Sequence, residues 1–269
     1  MNKINKLYKD PGMMPPGCAS LGPSGAQYAE TVTTAHSAIP RSWWIAPLLL
    51  LAGLIMLETT GTDRAVSDWF FDAGTQTFPW RHAYLLDTVL HHWTKYLVIL
   101  IACIIAAALG FTYLAAPLRP WRRLLLFLVL AITLSTLTVT VLKQLTDRPC
   151  PWDLVGYGGG VPYTHLFAAR EPSHARGLCF PAGHAATGFA LLAFFFAAYH
   201  QQRMALARAA LLLGAFVGIA LGMGRVAQGA HFVSHVLWSG LVCWLVMLGL
   251  YALLMTPRRR TPDTAIKSL

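Results

Sequence analysis

The sequence predicts an all-α integral membrane protein, a bundle of six transmembrane helices with a long periplasmic loop between the third and fourth. Three observations carry that expectation. The 269 residues are 56% apolar and only 12% charged, about half the charge of a soluble domain. Mean hydropathy is +0.52. Lys and Arg gather in short clusters between long uncharged stretches. A net charge of +10 raises the question of a nucleic-acid partner, but such a partner needs cations on one solvated face, and this spacing excludes it.

A helix crossing about 30 Å of hydrocarbon needs roughly 20 apolar residues. Six stretches approach that length: Trp43 to Thr60, Tyr96 to Ala116, Leu124 to Leu142, Ala185 to Tyr199, Ala209 to Gly224 and Phe232 to Met255. The first carries Pro47, and the fourth and fifth are short. An even number of spans puts both termini on one side, and the retention of Lys and Arg in the cytoplasm decides which. With the N-terminus inside, the inner segments hold Lys3, Lys6, Lys9, Arg41, Arg119, Arg122, Arg123, Arg203, Arg208, Arg258, Arg259, Arg260 and Lys267, against the acids Asp10, Glu30 and Asp263. The remaining eight basic and eight acidic residues fall outside and cancel.

Residues 1–42 lack an apolar run and read as a mobile cytoplasmic tail rather than a signal peptide. Residues 43–256 read as the membrane domain, and 257–269 as a basic cytoplasmic tail against anionic headgroups. Trp43, Trp44, Trp93, Tyr96, Trp121 and Tyr199 lie near span ends, where aromatic rings suit the headgroup region. The run Phe194–Phe196 reads as lipid-facing or packed core. Cys150 and Cys179 share the outer loop, where an oxidising periplasm allows a disulfide between them; two free thiols are the alternative.

That loop, from about Lys143 to Gly183, concentrates the chemistry. It opens with KQLTDRPCPWDL at 143–154 and closes with FPAGHAATG at 180–188, while a third polar cluster, GRVAQGAHFVSH at 224–235, joins the fifth and sixth spans. All three emerge on the outer face. Together they supply Lys143, Arg148 and Arg225, which can neutralise a phosphoryl group, and His184, His231 and His235, which can act as nucleophile and acid. His231 and His235 are four apart, hence neighbours on one helical face, and ionisable groups at membrane depth mark functional sites by default. The bland alternative makes these histidines polar caps of a helix start. A sharper one makes His-x3-His with His184 a three-nitrogen metal site, opposed by the three nearby cations. Gly158, Gly159 and Gly160 and the histidines at 91, 92, 165 and 174 are assigned no role.

These three segments resemble the signature motifs of the type-2 phosphatidic acid phosphatase superfamily, whose pattern is K-x6-R-P, then P-S-G-H, then S-R-x5-H-x3-D. This chain offers Lys143 with Arg148 and Pro149, then Pro181 to His184, then Arg225, His231 and His235, and the six-span bacterial lipid phosphatases of that group resemble it over about residues 43 to 256. The resemblance implies that His231 attacks phosphorus and His184 protonates the leaving oxygen. It further implies that Lys143, Arg148, Arg225 and the Gly183 backbone N–H hold the phosphate, with no metal or cofactor. The implied function is hydrolysis of a lipid phosphomonoester or pyrophosphate at the periplasmic face of the bacterial inner membrane. Phosphotransfer to a second lipid and a non-enzymatic transporter are the alternatives, and the oligomeric state is left open.

Four positions depart from the pattern. Four residues instead of six stand between Lys143 and Arg148, with Val141 in the strict position. Ala182 and Gly224 replace two serines. His235 stands where the family has the Asp that orients the nucleophile, and loss of such a charge in the serine-protease case costs about 10⁴ in rate. One of the acids Asp147, Asp153 and Glu171 of the same loop is expected to back His235.

Overall fold

The structure, a computed structural model, describes residues 39–86, 88, 93–166, 168 and 176–256. Apart from residues 39–42, the expected tails lie outside these residues, as does Glu171. Pro40–Thr256 fold as one unit, built from helices; among the described residues the only β pairings are three isolated bridges.

Helix α1, Ser42–Thr60, contains Pro47. A proline inside a helix leaves the carbonyl four residues back without its donor. Here that carbonyl, of Trp43, accepts the indole N–H of Trp244 at 3.1 Å, so the sixth span repairs the first and the helix runs on. The same Trp43 corrects the headgroup expectation. Its side chain is buried, with Phe195, Phe196, Tyr199 and Tyr251 at ring centroid distances of 4.8–5.3 Å. The aromatic run is therefore packed core at Phe195 and Phe196, whereas Trp44, Trp93, Tyr96 and Trp121 are exposed.

After the short α2, Thr62–Asp68, come α3, Thr94–Leu114, and α4, Arg122–Leu145, linked by a 3₁₀ turn at Ala116–Trp121. Helices α7, Met204–Ala227, and α8, Val233–Met255, complete the long apolar set. Five helical segments among the described residues are long and apolar enough to cross a membrane: α1, α3, α4 with its leading turn, α7 and α8. The fourth expected span differs. It is an interrupted run of α5, Gly183–Phe189, a 3₁₀ turn at Ala190–Leu192, and α6, Ala193–His200. At about 1.5 Å per residue these 18 residues reach roughly 27 Å.

That run is central because its side chains are small. Ala185, Ala186, Ala190 and Ala193 have no exposed surface, so α4, α7 and α8 close around it. Gly214, Gly218 and Gly222 form the facing stripe on α7, the small-xxx-small spacing that lets helix backbones approach. A Cβ on Gly218 would lie 2.3 Å from the Phe189 ring, and one on Gly222 2.2 Å from Val236 Cγ1. Val236 follows His235 directly, so Gly222→Leu is expected to push α8 off α7 and displace the histidines. The variant should lose about 1–3 kcal/mol of stability, read by thermal unfolding in detergent, and more than about 10-fold in phosphate release.

The described residues of the loop between the third and fourth spans form packed turns. Two 3₁₀ turns, Pro151–Asp153 and Val155–Tyr157, place Leu154 and Tyr157 in a small apolar core with Phe78 and Phe232, flanked by Phe70, Phe71 and Trp152. Tyr157 donates to Asp68 Oδ1 at 2.8 Å and to the Arg64 carbonyl at 3.1 Å. The segment after α1, the third-to-fourth loop and the α7–α8 junction thus form one cap over one end of the bundle.

Candidate active site

Each polar cluster is carried to the cap by a separate element. Lys143 lies on the last turn of α4, Arg148 on the loop just beyond it, Gly183 and His184 at the head of α5. Arg225 occupies the last turn of α7, His231 the short α7–α8 junction and His235 the first turn of α8.

Backbone and covalent ties draw the three clusters together. Cys150 and Cys179 form a disulfide with Cα atoms 5.1 Å apart. Beside it the Cys179 N–H donates to the Arg148 carbonyl at 2.9 Å, in a parallel bridge of Arg148 with Leu178. The approach is so close that a Cβ on Gly177 would fall 2.2 Å from the Arg148 carbonyl carbon. Thr146 Oγ1 donates to the Phe180 carbonyl, and the Phe180–Pro181 bond is cis. The second cluster meets the third where the Ala182 N–H donates to the His235 carbonyl at 3.2 Å and Ser239 Oγ donates to the Ala182 carbonyl at 3.0 Å.

His231 sits at the focus, 2% exposed, its ring 5.9 Å from that of His235. Burial holds its imidazole well below the usual range, and the charges of His235, Lys143, Arg225 and His184 push the same way. The ring is therefore neutral at pH 7 and its lone pair is available. Lys143, two residues out of the family register, still acts on both His231 and Arg225, because α4 extends through Leu145 and carries the lysine to the same end of the bundle.

The two arginines are held differently. Arg225 Nη1 donates to Gln228 Oε1 at 2.6 Å, and fully buried Gln228 donates from Nε2 to the Arg81 carbonyl at 3.2 Å. The Arg225 and Arg81 guanidinium groups lie 5.8 and 4.5 Å from the Trp152 ring, and the Trp152 N–H donates to the Gly229 carbonyl at 3.0 Å. Arg148 donates to Thr164 Oγ1 at 3.1 Å and to the Ala168 carbonyl at 2.6 Å, and its charge acts on His235.

His235 is enclosed by the loop and by aromatic rings. Its imidazole bonds the Cys179 backbone and packs edge-on to Phe180 and Phe232. Asp147 accepts the Gly177 N–H at 2.7 Å and Asp153 the Cys150 N–H at 3.1 Å; both brace the loop. A cavity beside His235 is lined by the carboxylates of Glu58 and Asp63. Among the described residues no group of three His, Cys, Asp or Glu side chains is arranged to hold a metal ion.

Sequence reasoning missed Asp63, Arg81, Trp152 and Gln228. Gln228 was findable, three residues from Arg225 on one helical face, and Trp152 adjoins the Arg148–Pro149 pair. Asp63 and Arg81 belong to the segment between the first two spans, which carries no pattern.

The model of the PAP2 superfamily matches residues 124–259, just over half of the chain, from the start of α4 past the end of α8. The chain belongs to the PAP2 superfamily. As a member it is a multi-pass membrane phosphatase, a hydrolase of phosphoric esters or anhydrides. The crystal structure of a transmembrane PAP2-type phosphatidylglycerolphosphate phosphatase from Bacillus subtilis is similar over 82% of this chain and 98% of its own, with 20% identity and a TM-score of 0.48. Comparison with curated proteins gives no match.

Proposed function

We propose that this PAP2 member removes a phosphoryl group from a lipid phosphomonoester or pyrophosphate at the periplasmic face of a bacterial inner membrane, through a phosphohistidine and without a metal. The observation that carries the proposal is the meeting of Lys143, Arg225, His184 and His235 around one buried, neutral His231. In this scheme a ring nitrogen of His231 attacks phosphorus as the bond to the leaving oxygen breaks. His184 gives that oxygen its proton. Lys143, Arg148, Arg225 and the Gly183 N–H take up the charge on the remaining oxygens, the role that fixed donors fill when no metal does. Water, deprotonated by His184, then displaces His231 and releases phosphate, restoring both rings. Lipid substrates fit because the site lies at the ends of apolar helices, at headgroup depth. The Cys150–Cys179 disulfide in the same cap supports an oxidising compartment.

The test is phosphate release by the purified protein from a panel of lipid monophosphates and pyrophosphates, with and without EDTA. Release that withstands chelation is expected. Loss with EDTA would overturn the metal-free scheme, and labelled acceptor lipid without free phosphate would mark a phosphotransferase.

A further inference from the structure

We infer that Asp63 is a positioning residue for the histidine pair, supplying from the outer end of the first span the carboxylate that the third motif lacks at position 235. The inference rests on the assignment of His231 as nucleophile. Asp63 is 5% exposed, unusual for an acid unless it is paired. Its Oδ1 accepts the Ser234 N–H at 2.9 Å, and the carboxylate also bonds the Ser234 side chain and the Val233 backbone. It therefore caps α8 from a different helix, between the nucleophile at 231 and the histidine at 235, where the helix N-terminus favours negative charge.

The same carboxylate lines a cavity of about 20 Å³ with Glu58, Arg148, Tyr163, Ser234 and His235, room for about one water. His235 Nδ1 is buried without a hydrogen-bond partner among the described residues, and the cavity that His235 shares with Asp63 has room for a bridging water. The other acid of the cavity is already engaged: Glu58 pairs with His165 at 3.3 Å and accepts the Leu166 N–H at 2.5 Å. Arg148 is tied to Thr164 and Ala168. Of these two acids it is Asp63 that bonds the first turn of the helix carrying His235. As His231 bonds to phosphorus its ring gains positive charge, and a carboxylate held behind His235 offsets that charge without touching substrate.

The decisive variant is Asp63→Asn, which removes the charge and keeps one acceptor oxygen for the Ser234 N–H. The expected result is a fall in kcat of about 10²-fold, the scale of one preorganised electrostatic contact, with KM changed less than about 3-fold. Adding His235→Asp to Asp63→Asn, which places a carboxylate at the family position, should recover kcat at least about 10-fold over Asp63→Asn alone. A kcat within about 3-fold of the parent in Asp63→Asn, or no recovery in the double variant, would overturn the inference. If His231→Ala keeps turnover, the nucleophile assignment fails first; if His231→Ala is inactive while Asp63→Asn is unaffected, only the role of Asp63 fails.

Discussion

Replacing His231 with Ala is expected to lower the turnover of lipid phosphate by about 10⁴-fold or more, equivalent to about 5.4 kcal/mol or more of transition-state stabilisation. The residue is buried, neutral and surrounded by the charges that would hold a phosphoryl group. Those cations remain in the variant, so KM should change little while kcat collapses, the pattern of an interaction made only on the way to the transition state. Steady-state kinetics of phosphate release give both numbers, and rapid quenching gives a second readout. The parent should accumulate an acid-labile, alkali-stable phosphoprotein, and His231→Ala none. An unimpaired variant would refute the nucleophile assignment.

The second large effect is expected at the disulfide. Cys150 and Cys179 are 29 residues apart in the chain, and a cross-link closing a loop of that length stabilises by about 3–4 kcal/mol on the chain-entropy account. Cys150→Ser should therefore lower the unfolding midpoint of the detergent-solubilised protein. Activity should fall with it, because the bond fastens the Arg148 segment to the stretch that leads into Pro181–His184. Treatment of the parent protein with a reductant should reproduce the variant. If thermal unfolding and phosphate release are both unchanged, the bond does not organise the site, and the proposed periplasmic exposure loses its main support.

Much of the fold was legible because a hydrocarbon slab imposes a simple rule. Backbone polar groups must be satisfied within each crossing segment, so runs of apolar residues between charges mark helices directly, as α3, α4 and α8 illustrate. The rule blurs where its premise changes. Residues 183–200 are enclosed by protein rather than lipid, so the run can be short, interrupted and rich in Ala. Pro47 lies inside the first span, and only the Trp244 indole, about two hundred residues later, shows how the helix runs through it.

The site divides in the same way. Histidines, arginines and a lysine in three polar clusters reveal themselves by composition, since charge near a membrane is costly and residues that bear it have a reason to be there. Their partners do not. Gln228 holding Arg225, Trp152 beneath two guanidinium groups and Asp63 capping α8 are ordinary residues in the sequence, and their importance arises from contacts between segments far apart in the chain.

Hydropathy and charge act residue by residue along the chain, so the sequence marked the apolar helices and the three polar clusters. Packing across the cap settled that Asp63 caps the helix of His235, that Lys143 stands near His231 from a shifted register, and that Cys150 joins Cys179. Those outcomes depend on distances across the outer cap, set by how closely Gly and Ala let the helices approach.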